Sequence, residues 1–524
     1  MRYPSIDSLS GLSLRCVVLL VTLATAEARP NILIAISDDQ SWPHSSAYGS
    51  KMVQTPNFDR VAKEGVLFTH AFAPSPGCSP SRAAFLTGRN TWQIEHAGTH
   101  GSYFHPKYVT FPDRLAEEGY ATGHVGKGWG PGDFKKLGRT QNPAGPQMPG
   151  SGKSGDYASG FKHFLTQVRK ADQPFCFWFG SHDPHRKYEK GSGLAKGKRL
   201  EDAEVPSFLP DTPEIRSDML DYAFEVERFD TEVGKMLALL EKAGELENTL
   251  VVVTSDNGIP VPRAKANCYE YGIHMPLAVR WGKEVPGGRV VDDLVGFVDL
   301  TATFYEVTEV SPPTEFPIMG KSLASLLRSE QAGIVEPDRS AVYSARERHS
   351  SSRYNTLGYP QRCVRTRDYL YIHNFTPERW PAGPGQVLID GKPGDPHGGY
   401  HDIDACPTLT HLIERREEPA IAKYLDFAVG KRPAEELYDM RKDPGCLTNL
   451  ASDTDHQPTL VKLRDQLFNH LIETGDPRVT GNGDVWETYP RVASMRWFPR
   501  PDWATEDPSK VPVQLWLEAR RPKN

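Results

Sequence analysis

The chain has 524 residues, of which 38% are hydrophobic and 24% charged, with a formal net charge of −6. That length exceeds what one hydrophobic core holds, so a large domain and a smaller one are expected. The composition is that of a soluble globular protein and excludes a disordered or membrane-embedded chain. Nothing in it points to a nucleic-acid partner, and an anionic substrate has to be held by a local basic cleft rather than by the overall field.

At the N-terminus, Arg2 and Arg15 precede an apolar run from Cys16 to Ala26, which ends in the small-residue pattern Ala26-Glu27-Ala28. This reads as a signal peptide, residues 1–28, cleaved after Ala28. The run is too short to span a bilayer, so no stable membrane insertion is expected and the mature chain is read as secreted or periplasmic. Of the seven cysteines, Cys16 leaves with the leader. If Cys78 serves chemistry, five remain: Cys176, Cys268, Cys363, Cys406 and Cys446. Their odd number and wide spacing, with no C-x-x-C cluster, argue against a zinc site and a disulfide-dense fold and allow at most two bridges. Cys176, inside an apolar run, reads as a buried free thiol.

Short apolar runs ending in polar residues alternate with helical patterns, as in an α/β sheet covered by helices on both faces. Asn31–Ile36 ends at Asp38 and Asp39, and Ala121–Val125 ends near Lys127. Phe175–Phe179 ends at His182, and Leu250–Val253 ends at Asp256 and Asn257. Because open α/β sheets bind ligands beyond the carboxyl ends of their strands, these four runs are expected to deliver acids, bases and metal-type ligands to one edge. Between the last two, Ile215, Met219, Tyr222, Val226, Phe229, Val233, Met236 and Leu240 repeat at helical spacing and predict a core-packing helix from about Pro213 to Ala243. Asp211 or Thr212 can cap its start and Gly244 its end. Past residue 335 the pattern changes to short β-like runs such as Cys363–His373 and a helical stretch near Leu460–Ile472. The expected division is 1–28 leader, 29–335 catalytic domain, 336–500 smaller C-terminal α+β domain and 501–524 tail. Pro381–Gly399 reads as a long loop.

The sharpest local pattern is Cys78-Ser79-Pro80-Ser81-Arg82, followed by Leu86-Thr87-Gly88. Pro80 suits the first turn of a helix, which puts position 78 at a helix N-terminus, where free amides and the dipole favour an anion. The pattern C-x-P-S-R-x-x-x-x-T-G resembles the signature of type I sulfatases, in which the cysteine is oxidised after synthesis to formylglycine. Gly119-Tyr120, Thr122 and Gly126-Lys127 resemble a second signature of that family, which implies that Lys127 contacts sulfate.

Asp38, Asp39, Asp256 and Asn257 are hard oxygen ligands of the kind calcium prefers, and the family places its metal at such D-D and S-D-N-G positions. His182-Asp183-Pro184-His185-Arg186 resembles a loop of sulfamidases, the N-sulfoglucosamine sulfohydrolases. That likeness extends through Ser255–Pro260, Lys265, Asn267 and Tyr269 to Tyr359-Pro360, Arg362, His373-Asn374 and Glu436–Asp439. The resemblance implies an alkaline-phosphatase-like mixed sheet sandwiched by helices, with a small C-terminal sheet-and-helix domain. It implies Ca2+ held by Asp38, Asp39, Asp256 and Asn257 together with position 78, and a maturation enzyme that converts Cys78 to formylglycine. The implied chemistry has a hydrated aldehyde at position 78, assisted by Arg82, attacking sulfur. His182 protonates the leaving atom while Lys127 and Lys265 hold the sulfuryl oxygens.

The substrate expected from this resemblance is a sulfated carbohydrate with N-sulfated glucosamine foremost; an O-sulfated sugar of another polysaccharide is the alternative. A phosphodiesterase or phosphonate hydrolase of the same fold, or a glycan-binding relative with Cys78 unconverted, are the more distant readings. His185, His274 and His349 are the candidate sugar contacts: many sulfatases carry arginine where His274 stands, and His349 begins the C-terminal domain. The Lys- and Arg-rich loop 186–199 is a further candidate for meeting a sulfated polymer, or a solvated surface.

Overall fold

The computed structural model describes residues 29–152, 156–385 and 399–492, together with the backbone of 388–389 and 392–393. The expected leader and tail, and the centre of the Pro381–Gly399 loop, lie outside the described residues.

The strands of the main sheet are β1 (Asn31–Ser37), β2 (Val66–Phe72), β3 (Ala121–Gly126), β4 (Phe175–Gly180), β5 (Thr249–Ser255), β6 (His274–Arg280), β7 (Arg289–Val291) and β8 (Val295–Gly296). They lie in the order β3-β4-β1-β5-β6-β2-β7, with β8 paired to β2. β3, β4, β1 and β5 are mutually parallel, whereas β6 runs antiparallel to both β5 and β2. The sheet is therefore mixed, as the resemblance implies. Its four parallel neighbours are the four runs whose ends carry the candidate residues, so adjacency in the sheet brings those ends to one edge.

Strand alternation explains the layers. In β1, Ile32, Ile34 and Ile36 pack against the helices at Cys78–Thr87, Phe111–Glu117 and Phe297–Thr308. Leu33 and Ala35 pack against the helices at Pro56–Glu64, Tyr157–Ala171 and Pro213–Ala243. A strand buried on both faces reads as a continuous apolar run, which is why these runs stood out in the sequence. The 31-residue helix Pro213–Ala243 has the expected limits: Thr212 accepts from the Ile215 amide, and Gly244 ends it in the left-handed region at φ 75°.

A second, antiparallel sheet is built from β9 (Ala341–Arg346), β10 (Gln361–Thr366) and β11 (Tyr369–Asn374). Beyond the two-residue ribbon of β12 (Leu388–Ile389) and β13 (Lys392–Pro393) comes its last strand, β14 (Glu435–Asp439). The order is β14-β11-β10-β9. Helix Gln457–Glu473 covers one face, through Leu460, Leu463, Leu467 and Leu471. The other face packs Cys363, Leu370 and Ile372 onto Phe72, Cys268, Tyr269 and Ile273 of the larger unit. Cys176 is a buried free thiol, as read from its apolar run. Arg362 pins this sheet from within: fully buried, it pairs with Asp476 at 2.5 Å and Glu347 at 2.7 Å. No helix among the described residues is long and apolar enough to cross a membrane.

Candidate active site

Cys78 opens the helix Cys78–Thr87, preceded by Gly77 in extended conformation. The thiol is 1% exposed and its Sγ lies 3.3 Å from His100 Nε2. Burial pushes the Cys78 thiol up to about 11. The unmodified side chain is thus disfavoured as a thiolate.

Around it the strand ends supply alternating charges. One ligand-type atom each of Asp38, Cys78 and Asp256 lies within 4.8 Å of the other two. Lys127 Nζ donates to both oxygens of Asp38, at 2.8 and 2.7 Å. Lys265 Nζ donates to Asp39 Oδ2 at 2.6 Å, and Arg82 Nε donates to Asp256 Oδ2 at 2.7 Å. Each of the three carboxylates thus has its own cation. Burial alone would raise the Asp38 carboxyl, but Lys127 and three further cations hold it well below the usual carboxylate range. Asp256 is instead pushed up, by burial and by the neighbouring charge of Asp38, despite Arg82. Arg82 is fully buried, and its Nη1 also donates to the carbonyls of Lys127 and Gly128 at 2.7 and 3.1 Å. It therefore ties the Cys78 helix to the turn after β3. That turn needs glycine at 126: φ is 76°, and a Cβ there would collide with the Gly180 carbonyl oxygen.

The residues fit a hard divalent cation. Asn257 Nδ2 donates to Asp39 Oδ1 at 2.7 Å and to the Gly258 carbonyl, which leaves its buried Oδ1, the ligand-type atom, without a hydrogen-bond partner among the described residues. Beside it stand three buried carboxylates, one of them with its ionised form disfavoured. An all-oxygen set of this kind suits calcium or magnesium and not zinc.

The remaining candidates separate. His182, at the end of β4, is half-buried; burial lowers its pKa, opposed by the nearby Asp38 and assisted by Lys127 and Arg82. His185 Nε2 lies 3.8 Å from Asp39 Oδ2. His349, arriving from the second sheet, packs against His100 with tilted rings whose centroids are 4.4 Å apart, and approaches Gly77. Burial drives His349 down to about 3, so it is a neutral hydrogen-bonding group. His274 is not brought to this cluster. It heads β6, stacks on Trp42 at 4.3 Å and on Phe72 at 4.7 Å, and engages Glu270 Oε1 at 2.9 Å and the Thr69 carbonyl at 2.8 Å. Both ring nitrogens are spent, and Glu270 is further locked by Arg365. His274→Ala is accordingly expected to cost roughly 2–4 kcal/mol of stability, seen as a lower melting temperature, with equal effects on turnover of a glycan and of a small aryl sulfate. A loss confined to the glycan would contradict this placement.

Two residues of the cluster carry no signal in the sequence. His100 lies in a segment without a motif, and Asp404, 2.9 Å from Lys265 Nζ, follows the Gly/Pro-rich loop. Only the fold brings them in.

A strand edge that gathers three cations, three carboxylates and a helix N-terminus around one buried side chain is a site suited to holding a tetrahedral oxyanion. Comparison with known proteins makes the class specific. Residues 30–310 match the Sulfatase family, and residues 264–381 match the family described as N-sulphoglucosamine sulphohydrolase, C-terminal. N-sulphoglucosamine sulphohydrolase of Homo sapiens is 31% identical over 90% of this chain and 96% of its own length. An ulvan-active sulfatase of Formosa agariphila is 26% identical over 86% of this chain and 76% of its own. Among solved structures, a protein in complex with its substrate D-glucosamine-2-N,6-O-disulfate superposes with a TM-score of 0.61 at 21% identity, covering 86% of this chain and 99% of that one. The chain belongs to the sulfatase family, and it is a hydrolase of sulfate esters or sulfamates.

Proposed function

We propose that this chain releases sulfate from a sulfated carbohydrate, with N-sulfated glucosamine as first substrate, after export and after conversion of Cys78 to formylglycine by a maturation enzyme. The observation that carries this reading is the meeting of Cys78, Asp38 and Asp256 within 4.8 Å at a helix start flanked by Lys127 and Lys265. The 31% identity to the human N-sulphoglucosamine sulphohydrolase over nearly its whole length supports the choice of sugar.

The roles follow from position. Once converted, position 78 supplies a hydrated aldehyde, with one hydroxyl for attack on sulfur and a second for release of sulfate. Calcium would be held by Asp38, Asp39, Asp256 and Asn257 with the group at position 78, and when bound it draws charge from the sulfuryl oxygens. Lys127 and Lys265 are the two ammonium groups within reach of those oxygens, and their fixed carboxylate partners pre-orient them. His182 is placed to protonate the departing nitrogen or oxygen. His100 sits against the substituent at position 78 and orients it. Arg82 positions the Cys78 helix against β3 and β5. His185 and His349 line the side from which the sugar enters.

The test is sulfate release from glucosamine N-sulfate, from O-sulfated monosaccharides and from nitrophenyl sulfate and phosphate, alongside mass spectrometry of the Asn57–Arg89 peptide. Aldehyde at position 78 with preferred turnover of the N-sulfate is the expected result. An unconverted thiol, or turnover of the phosphate ester alone, would refute the assignment.

A further inference from the structure

Facing the catalytic cations from the C-terminal side is a carboxylate that sulfate binding does not call for. Asp404 Oδ2 lies 2.9 Å from Lys265 Nζ, whose other partner is Asp39 Oδ2 at 2.6 Å. Side-chain exposure grades outward along this chain of ion pairs, from 0% at Asp39 through 5% at Lys265 to 29% at Asp404. Asp404 is thus its solvent-facing end. Asp39, His185 and Asp404 also place one ligand-type atom each within 4.8 Å of one another. The Lys265 ammonium already bridges the two carboxylates, so the trio has its cation. Burial would raise the Asp404 carboxyl, but Lys265 and His185 hold it well below the usual carboxylate range.

Its placement is built rather than incidental. Two residues earlier, Asp402 Oδ2 accepts from Arg346 Nη2 and Arg353 Nη2, each at 2.7 Å, and its Oδ1 accepts from the Ser350 amide at 2.6 Å. These partners are buried, so the segment carrying Asp404 is clamped onto the end of β9 beside His349. A fixed anion beside Lys265 weakens the pull on sulfate. What it offers in return is an acceptor for hydroxyl or amine donors and repulsion of further negative charge, the two halves of a specificity device.

Resting on the sulfated-sugar reading above, we propose that Asp404 is a specificity-determining residue. Its carboxylate accepts hydrogen bonds from the neutral hydroxyl or amine groups of the sugar bearing the scissile sulfate, and it disfavours a sugar with a second sulfate or a carboxylate. Like charges about 5 Å apart in a partly screened cleft discriminate by roughly ten- to a hundredfold. The probes are glucosamine N-sulfate and glucosamine 2-N,6-O-disulfate, with N-sulfate release measured as kcat/KM for wild type, Asp404→Asn and Asp404→Ser. Any change in Lys265 acts on the sulfuryl group common to both substrates and cancels in the ratio of the two constants. That ratio, disulfated over monosulfated, is expected to rise about tenfold or more in both variants, and in wild type to rise with added salt. Melting temperatures show whether the variants are folded, and two different side chains guard against the failure of one. A ratio unchanged in folded variants would overturn the proposal and leave Asp404 as a partner of Lys265 only. If wild type hydrolyses nitrophenyl sulfate but neither sugar, the substrate reading itself fails, and this proposal with it, by an observation distinct from an unchanged ratio.

Discussion

Replacing Cys78 with alanine is expected to abolish sulfate release, by on the order of 10⁴-fold or more, while leaving the protein folded. The two effects separate because the side chain and its helix have different supports. The helix start is set by extended Gly77, Pro80 and the buried Arg82 bridge to Asp256 and the Lys127 carbonyl, none of which uses the sulfur. The Sγ itself has one hydrogen-bonding neighbour, His100, so its removal costs about 1 kcal/mol of packing and contact. Cys78→Ser is expected to behave alike, since a serine sulfated once has no second hydroxyl with which to expel the sulfate. The measurement is sulfate release with a melting curve on the same preparation; substantial turnover by a folded alanine variant would end the proposed mechanism.

Chelation is expected to remove activity almost completely and reversibly, with calcium restoring it, yet to lower the melting temperature only modestly. Three carboxylates alone would repel one another, but the structure pairs Asp38 with Lys127, Asp39 with Lys265 and Asp256 with Arg82. The apo cluster is therefore close to neutral and the fold survives. The cost falls on catalysis, because the charge that the ion would draw from the sulfuryl oxygens is then left unbalanced. Stabilisation by the ion follows its concentration over its dissociation constant, about 2.7 kcal/mol at a hundredfold excess over that constant. Full activity after exhaustive chelation would exclude the metal; collapse of the fold would show that the ion pairs do not balance the acids.

The sequence by itself determined the catalytic layer. The runs now seen as β1, β4 and β5 were legible because strands buried on both faces are nearly continuously apolar, and their polar ends could be read directly; β3, the edge strand, has the mixed sequence ATGHVG and was legible through the Gly126-Lys127 that ends it. The long helix was legible because its Ile215–Leu240 stripe and its capping residues agree, and the Cys78 segment because its motif is local. The reading of His274 as a sugar contact came from the family resemblance, in which many sulfatases carry arginine at that position. At the head of β6 it packs instead on Trp42 and bonds Glu270, one helical turn earlier in the chain. His100 and Asp404 show the converse. They lie 22 and 326 positions from Cys78, outside any motif, and Asp404 comes from the loops of the segment forming the second sheet; His349 was singled out in the sequence, but its meeting with His100 was not. Their meeting depends on how that sheet packs on Phe72 and Tyr269 and on how Asp402 is clamped by Arg346 and Arg353. Contacts at such separations leave no periodic or local trace, because what selects them is the packing of two layers rather than the conformation of one segment. The helix-start cysteine and its acidic neighbours were thus written in short motifs, while the flank that carries His100, His349 and Asp404 was decided by tertiary structure.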